Sequence, residues 1–351
     1  MKKEKNISTL NNMETASFCG QMSMMLSAGI TVSESLRLLE ADAKENEGKE
    51  ILCSIYTEIE EGNSLFQSMC DASVFPKYVL DMVHIGEQTG NLDHVFSSLS
   101  SYYEREESIH EGIRTAITYP FIMIGMMLCV ILVLMVKVLP IFEQVYKQLG
   151  STMDGLSGSI LRLGSSFSKY SAAFVVFFAC LVLCYFLFSH SAYGKEKLRH
   201  FASSFVLTRE LYDSISAGRF ASGMALALGS GFNTEQGLEM VRELISNQSY
   251  MKKLNLCEEK MKAGEPFADA VVHSNIFKDS YGRMVAIGFK SGKLDDVMAK
   301  VASRYEIDVD YKINHFVSIL EPTLVAILSI VVGMILLSVM LPLMGIMSSI
   351  G

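Results

Sequence analysis

The feature that most constrains the fold is an internal repeat with a constant offset of 202 residues. Segment 86–93 reads GEQTGNLD, and segment 288–295 reads GFKSGKLD. The same offset relates anchor residues on both sides of this block, among them Phe18 with Phe220 and Pro120 with Pro322. A register held without a gap over about 120 residues predicts one structural unit that is encoded twice.

The chain is more apolar than a typical soluble protein, because 50% of its residues are hydrophobic. The excess is concentrated in three nearly continuous apolar runs at 121–139, 172–188 and 323–341. At a rise of about 1.5 Å per residue, a helix of this length approaches the thickness of the hydrocarbon layer, so we predict three transmembrane helices. Buried core helices are the alternative, but they would keep a polar face, which these runs almost entirely lack.

Outside these runs, apolar residues recur at spacings of three and four, which predicts helices. Thr31 to Glu34 and Asn233 to Gln236 have the pattern of capping boxes at matched helix starts. Gly62 and Gly264 follow predicted helices and would end them. The predicted fold class is therefore an all-α membrane protein with two homologous helical-bundle domains and three transmembrane helices.

The topology follows from loop length and charge. About 30 residues separate the first two apolar runs, too few and too glycine-rich for a domain, so both helical domains should lie on one side of the membrane. Basic residues next to the second and third runs favour the cytoplasmic side, although the loop also carries some. The predicted segments are a polar N-terminal tail at 1–12, a first cytoplasmic helical domain at 13–118, transmembrane helices at 119–142, 171–189 and 321–343, an extracytoplasmic loop at 143–170, a second cytoplasmic helical domain at 190–320 and an extracytoplasmic tail at 344–351.

Two prolines mark the places where the helical domains meet the apolar runs. A long helix from Leu92 could run to Tyr119, and Pro120 would then remove a backbone donor and bend the helix at the membrane surface. Pro322 occupies the same position in the second repeat. Glu321 lies just before it, and we interpret this carboxylate as reaching the interface, with a proton or solute path as the alternative.

The repeated block is the main candidate site, and we interpret it as a turn between two helices. Glu87 could cap the helix that starts near Leu92 or, with Asp93, bind a cation, and capping is the simpler interpretation. The second copy has Phe289 and Lys290 instead, so no symmetric acidic site is expected. Asp93 and Asp295 occupy matched first-turn positions, where the helix dipole favours a negative charge. The candidate structural or partner-binding positions are Gly86, Glu87, Gly90, Asp93, Gly288, Gly292, Asp295, Pro120, Glu321 and Pro322.

The sequence offers little else that carries chemistry. It contains no phosphate-binding loop, dinucleotide fingerprint, zinc-protease motif or nucleophile elbow, so we predict no catalytic residues and no cofactor. The seven cysteines form no CxxC pair and are interpreted as small buried hydrophobic residues. A net charge of −8 argues against a nucleic-acid partner.

With these features in hand, the chain resembles the bacterial type II secretion system protein F family, which includes the inner-membrane platform proteins of type IV and competence pili. The matching pieces are LSAGI at 26–30, GNSL at 62–65, Phe75-Pro76, 86–92, Tyr119-Pro120, GEPF at 264–267, SGKL at 291–294 and Glu321-Pro322. The resemblance implies cytoplasmic domains of about six helices each. It also implies a protein of the cytoplasmic membrane that couples a cytoplasmic assembly ATPase to prepilin-like subunits.

The predicted function is thus a membrane scaffold that is not an enzyme. The expected partners are the ATPase, prepilin-like subunits, other inner-membrane assembly proteins, the lipid bilayer and further copies of the chain. A small-solute transporter is the alternative, but transporter repeats usually duplicate several spans around a midplane site. A prepilin peptidase would need paired aspartates within the spans, and the apolar runs contain none.

Overall fold

The computed structural model describes residues 9–43, 46–134 and 206–350, together with residues 137, 141 and 144. Within these residues the secondary structure consists of twelve α-helices, six in each repeat, which confirms the all-α fold class and the helix count per domain. The second predicted span at 171–189 and most of the predicted loop at 143–170 lie outside the described residues.

The first repeat contributes α1 to α6, and each of these helices has a counterpart in the second repeat. The first six helices are α1 Asn12–Ser27, α2 Val32–Asp42, α3 Asn46–Glu60, α4 Leu65–Ala72, α5 Lys77–Thr89 and α6 Leu92–Val133. The second six are α7 Val206–Gly229, α8 Thr234–Arg242, α9 Gln248–Lys262, α10 Phe267–His273, α11 Asp279–Ser291 and α12 Leu294–Ile350.

Helix starts follow the capping signals in the sequence. The Thr31 side chain accepts a hydrogen bond from the Glu34 N–H, and Asn233 and Gln236 form a complete capping box at the start of α8. A second complete box at the start of α1, Asn11 with Glu14, was not predicted. Each box satisfies two N–H groups that a helix leaves without intrahelical partners.

The described residues group into two compact units. The first unit comprises Met1–Gly112 and Phe205–Tyr311, and the second comprises Ile113–Ser204 and Lys312–Gly351. The helical-bundle parts of both repeats therefore belong to the same unit, although each has a hydrophobic core of its own. Fully buried side chains in the two cores include Met22, Leu36, Ile55 and Phe96 in the first repeat and Phe220, Met224 and Tyr250 in the second.

The second unit contains the apolar ends of the two longest helices. Segments Leu92–Ile131 and Leu294–Met334 are long and apolar enough to cross a membrane, and within the described part of the chain little of their most apolar windows is buried. This agrees with the first and third predicted spans. Pro120 lies inside α6, which continues to Val133, so the helix does not end at the proline. The bend at Pro120 stays a prediction.

The cysteines differ from the sequence interpretation in one respect. Cys19 and Cys257 are completely buried, and burial raises the pKa of each thiol to about 12. Cys53 and Cys129, however, are exposed. The interpretation of Cys53 as buried was wrong because Ile55 faces the core, and a residue two positions away on a helix points to another side.

Candidate functional site

The repeated block is the end of one helix and the start of the next, rather than an extended turn. Gly86 and Glu87 lie within α5, and only Gly90 leaves the helix, with φ of +69°. Gly292 has the same φ at the end of α11. The following N–H bonds back to the first glycine in both copies, from Asn91 to Gly86 at 2.9 Å and from Lys293 to Gly288 at 3.0 Å. The predicted turn was too long because an αL glycine can end a helix within one residue.

The first glycine of each block allows close packing between consecutive helices. A Cβ atom added to Gly86 would lie 3.0 Å from Val95 Cγ2. A Cβ atom on Gly288 would lie 2.7 Å from Val297 Cγ2 and 2.8 Å from Val297 Cβ. The two glycines therefore set the distance between α5 and α6 and, more tightly, between α11 and α12.

Glu87 caps a helix, but not the one that follows it. Its two carboxylate oxygens accept hydrogen bonds from the backbone N–H groups of Leu65 at 2.8 Å and Phe66 at 3.2 Å. These groups form the first turn of α4, whose N-cap residue is Ser64. A carboxylate at this end of a helix satisfies unpaired donors and complements the helix dipole. The sequence could not reveal this target, because α4 is more than twenty residues away.

The second repeat replaces this polar cap with apolar packing. Phe289 stands in the position of Glu87, and its ring lies 6.5 Å from the ring of Phe267 at the start of α10. Pro266 is the N-cap residue there and makes no side-chain cap.

The aspartates of the block lie where the sequence places them, in the first turns of α6 and α12. Ser23 of α1 donates a hydrogen bond to the backbone oxygen of Asp93 at 3.0 Å, which fastens α1 to the start of α6. Among the described residues, no group of three or more potential ligands is close enough to hold a metal ion. Both carboxylate oxygens of Glu87 already accept hydrogen bonds from the backbone of α4.

A second set of functional candidates lies where the two repeats meet inside the first unit; we call it the seam. Arg219 of α7 donates two hydrogen bonds to the Glu106 carboxylate of α6, with an Nε to Oε1 distance of 2.7 Å. Burial disfavours the charged form of Arg219, but the negative charge of Glu106 more than offsets this, so the pKa of Arg219 is raised. The pair is a largely buried, bidentate ionic contact of the kind that arginine forms best.

Further contacts extend the seam. The Tyr78 hydroxyl of α5 donates to the Gly223 carbonyl oxygen at 3.2 Å, and burial raises the pKa of Tyr78, which keeps it a neutral donor. Lys77 pairs with Glu243 at the exposed edge. Arg105 contacts the Glu306 carbonyl oxygen and the Asp310 carboxylate, each at 3.0 Å.

Sequence reasoning missed the seam entirely. One signal was present, because Glu106 follows Leu99 and Tyr103 on the inward stripe of α6, where a charged residue needs a partner. The identity of that partner, 113 residues away, could come only from the structure.

Within the second unit, the two long helices touch near the prolines. The Tyr119 hydroxyl donates to Glu321 Oε1 at 3.2 Å. These residues occupy equivalent positions in the two repeats, each directly before its proline, Pro120 or Pro322. The Glu321 carboxylate is therefore hydrogen-bonded to the other helix, a partner that the sequence interpretation did not include.

Comparison with known proteins agrees with the internal repeat. Residues 18–140 and 220–342 each match the family model of the type II secretion system (T2SS) protein F. The two matches are again 202 residues apart and together cover more than half of the chain.

Whole-length relatives give the same picture. The type IV pilus assembly protein PilC of Thermus thermophilus is 26% identical over 337 residues, which span 96% of this chain and 83% of the relative. PilC of Pseudomonas aeruginosa is 25% identical over 335 residues, which span 94% of this chain and 89% of the relative. Type II secretion system protein F of the same organism is 25% identical over 333 residues, with 94% and 82% coverage.

Proposed function

The chain belongs to the type II secretion system protein F family, and we propose that it is a multi-pass inner-membrane platform that couples a cytoplasmic assembly ATPase to the assembly of prepilin-like subunits. Its relatives are named as components of type IV pilus and type II secretion machines, which supports a platform role in such a machine. The coupling, the cytoplasmic side of both helical domains and the three spans are parts of the proposal.

The observation that carries the coupling proposal is the continuity of α6 and α12. Each helix has residues of the helical bundles at its N-terminal end and an apolar, exposed segment at its C-terminal end. A continuous helix transmits a rotation or a displacement along its axis, whereas a flexible linker would absorb it. Docking of the ATPase on the helical bundles could thereby act on subunits held at the apolar segments.

The contacts between the two repeats at the seam also support this proposal. A force applied to one repeat reaches the other through the Glu106 and Arg219 pair and the buried Tyr78 hydrogen bond. Both contacts join residues that are largely removed from water, where ionic and polar contacts hold more tightly than at a surface. The two bundles would then move together, and α6 and α12 would be driven as a pair.

An insertion that breaks helix continuity tests the proposal. Two glycines inserted between Gly112 and Ile113, where the two units divide, should leave membrane insertion and ATPase binding intact but abolish filament or pseudopilus assembly. The matched control places the same two residues after Ala43, between α2 and α3, and should retain assembly.

Three results would count against the proposal. The first is normal assembly with the α6 insertion, and the second is failure of the ATPase to copurify with the full-length chain. The third is solute uptake by vesicles that contain the purified chain, which would favour the transporter alternative.

A further inference from the structure

A small cavity lies at the seam, with a wall that α6, α7 and α12 build together. Its volume is about 20 Å³, and about 10–15 Å³ is enough to hold one water molecule. The wall includes the apolar side chains of Ile109 and Ile215 and the polar ones of Arg105, Glu106 and Ser222. A purely apolar cavity stays empty, whereas a polar one of this size binds water, so the polar groups of the wall decide what occupies it.

Arg105 supplies a hydrogen-bond donor to this cavity. Its Nη2 atom donates to the Glu306 carbonyl oxygen and to the Asp310 carboxylate, each at 3.0 Å. Its Nε atom is buried and has no hydrogen-bond partner among the residues that the structure describes. A buried donor on a charged group is unfavourable when it is left unpaired, so this atom indicates a ligand that accepts a hydrogen bond.

Glu106 supplies an acceptor in the same wall. Each of its carboxylate oxygens accepts one hydrogen bond from Arg219. A carboxylate has about four acceptor positions in all, so Glu106 can still accept from a ligand in the cavity. Tyr102 and Ser222, whose hydroxyls can donate and accept, also line the cavity. A ligand that fits between these groups must be very small, and it must both donate and accept hydrogen bonds, as water does.

We propose that the cavity binds one ordered water molecule, which accepts a hydrogen bond from Arg105 Nε and donates one to the Glu106 carboxylate. The water extends the ion pair into a network that runs from Asp310 on α12 through Arg105 and Glu106 on α6 to Arg219 on α7. This network joins three helices near the place where α6 and α12 leave the first unit. The inference concerns the interior of the seam and does not depend on the platform role.

Gly218 of α7 leaves room for this water. It lines the cavity, and its counterpart in the first repeat is Ala16. A Cβ atom added to Gly218 would lie 3.4 Å from Tyr305 Cβ, an ordinary contact, and would meet no other atom within 4 Å. A methyl group therefore fits here without a clash, and it takes up space that the water needs.

Radiolytic hydroxyl labelling of the full-length chain in detergent tests the proposal. X-rays convert bound as well as bulk water into hydroxyl radicals, which modify the side chains beside them. Tyr305 lines the cavity and is 2% exposed, and Phe267 is also 2% exposed but does not line it. After correction for intrinsic reactivity, Tyr305 should be modified about fivefold faster or more, because only Tyr305 adjoins the bound water. The exposed Phe289 calibrates the radical dose.

The variant Gly218→Ala provides a matched comparison. Its methyl group should lower the labelling rate of Tyr305 to that of Phe267 and leave the rate of Phe289 unchanged. The control is Gly282→Ala, whose added Cβ would lie 3.6 Å from Val272 Cγ2 and does not enter the cavity. This control should keep the wild-type rate at Tyr305.

A second measurement needs no variant. An experimental structure of the full-length chain, at a resolution that shows ordered waters, should place a water about 2.7–3.2 Å from Arg105 Nε and from a Glu106 carboxylate oxygen.

Three results would each overturn the proposal. They are equal corrected labelling rates of Tyr305 and Phe267 in the wild type, an unchanged Tyr305 rate in folded Gly218→Ala, and an experimental structure without a water at Arg105 Nε. If Gly218→Ala does not fold, the wild-type rates and the experimental structure still decide the question.

Discussion

Helices α4 and α10 occupy equivalent places in the two repeats but begin in different ways. The first turn of α4 donates two backbone N–H hydrogen bonds to the Glu87 carboxylate and a further one to the Ser64 side chain. The start of α10 has Pro266 as its N-cap and the ring of Phe289 packed near Phe267. One repeat thus uses a charged cap where the other uses contact between two aromatic rings.

This difference shows which part of the repeated block is structural. The glycines behave alike in both copies, since each pair permits close helix packing and then an αL helix end. The residue that follows the first glycine does not, because Glu87 and Phe289 contact different neighbours. A shared motif in the two repeats therefore predicts shared backbone geometry, and each side chain must be judged by its own surroundings.

The largest effect should come from the ion pair that exists only once, at the seam. Arg219→Met leaves the Glu106 carboxylate, whose side chain is 11% exposed, without its partner. Breaking such a pair typically costs about 3–5 kcal/mol, so Cys19 in the first core should react with a thiol reagent at lower urea than in the wild type. Labelling is measured with Cys19 as the only remaining cysteine.

The exposed pair Lys77 and Glu243 provides the control for this prediction. Lys77→Met should shift the urea midpoint much less than Arg219→Met does, because exposed ion pairs contribute little to stability. If Arg219→Met shifts the urea midpoint no more than Lys77→Met does, the seam is not the strong contact that its burial indicates.

The next effect compares the two close-packing glycines. Gly288→Ala brings a methyl group within 2.8 Å of Val297 Cβ, an atom fixed to the backbone, so α11 and α12 must separate. We expect a net loss of about 1–2 kcal/mol, because overpacking outweighs the better helix propensity of alanine. Gly86→Ala meets its nearest atom, Val95 Cγ2, at 3.0 Å and should be nearly neutral.

The urea midpoint of Cys257 labelling measures the stability of the second core, and that of Cys19 labelling measures the stability of the first. In each experiment the labelled cysteine is the only one left in the chain. Gly282→Ala is the matched control in α11, since its added Cβ would lie 3.6 Å from Val272 Cγ2, an ordinary contact. It should be neutral or slightly stabilising. Equal destabilisation by Gly86→Ala and Gly288→Ala would mean that the two helix contacts are equally tight.

The next comparison concerns the two ways in which α4 and α10 begin. Glu87→Ala removes a charged acceptor from two N–H groups and should cost about 1–2 kcal/mol in the first core. Phe289→Ala removes a ring that is already partly exposed and should cost about 1 kcal/mol in the second core. Thiol labelling of Cys19 and Cys257 again assigns each loss to its repeat.

A high salt concentration should distinguish the Glu87 cap from the Phe289 contact, because ionic screening weakens a charged cap but leaves aromatic packing in place. The cost of Glu87→Ala should therefore shrink in high salt, and that of Phe289→Ala should not. Gln88→Ala, at the exposed neighbouring position, serves as the control. A Glu87→Ala protein with wild-type urea resistance would remove the basis for this comparison.

These same residues show how much of the fold and of the candidate site could be predicted from the sequence. Hydrophobic periodicity predicted helices and the 202-residue offset predicted that they recur in the second repeat, whereas the number of about six helices per domain came from the family resemblance. Glu87 was identified as a cap, but the helix it caps was not, since that depends on how α5 packs against α4. The seam was missed for the same reason, because Arg219 and Glu106 belong to different repeats and are 113 residues apart in the sequence.

The smallest effect concerns an ionic cluster that only the second repeat has. Glu265, just before α10, accepts hydrogen bonds from His273 and Lys260, and these contacts hold its pKa below the ordinary value of 4.5. The counterpart of Glu265 is Asn63. A carboxylate whose folded-state pKa is lowered stabilises the fold above its unfolded pKa and loses that contribution as the pH falls through the folded value.

Glu265→Gln should therefore lower the urea midpoint of Cys257 labelling slightly at about pH 7, and the difference from wild type should disappear in acid, as the pH falls below 4.5 and through the lowered pKa of Glu265. A pyridyl disulfide is a suitable reagent because it still reacts with thiols in acid. Cys19 labelling should not change, since the first repeat has no acid at that position. A difference that persists in acid, or that is equally large at Cys19, would show that Glu265 acts through packing and not through its charge.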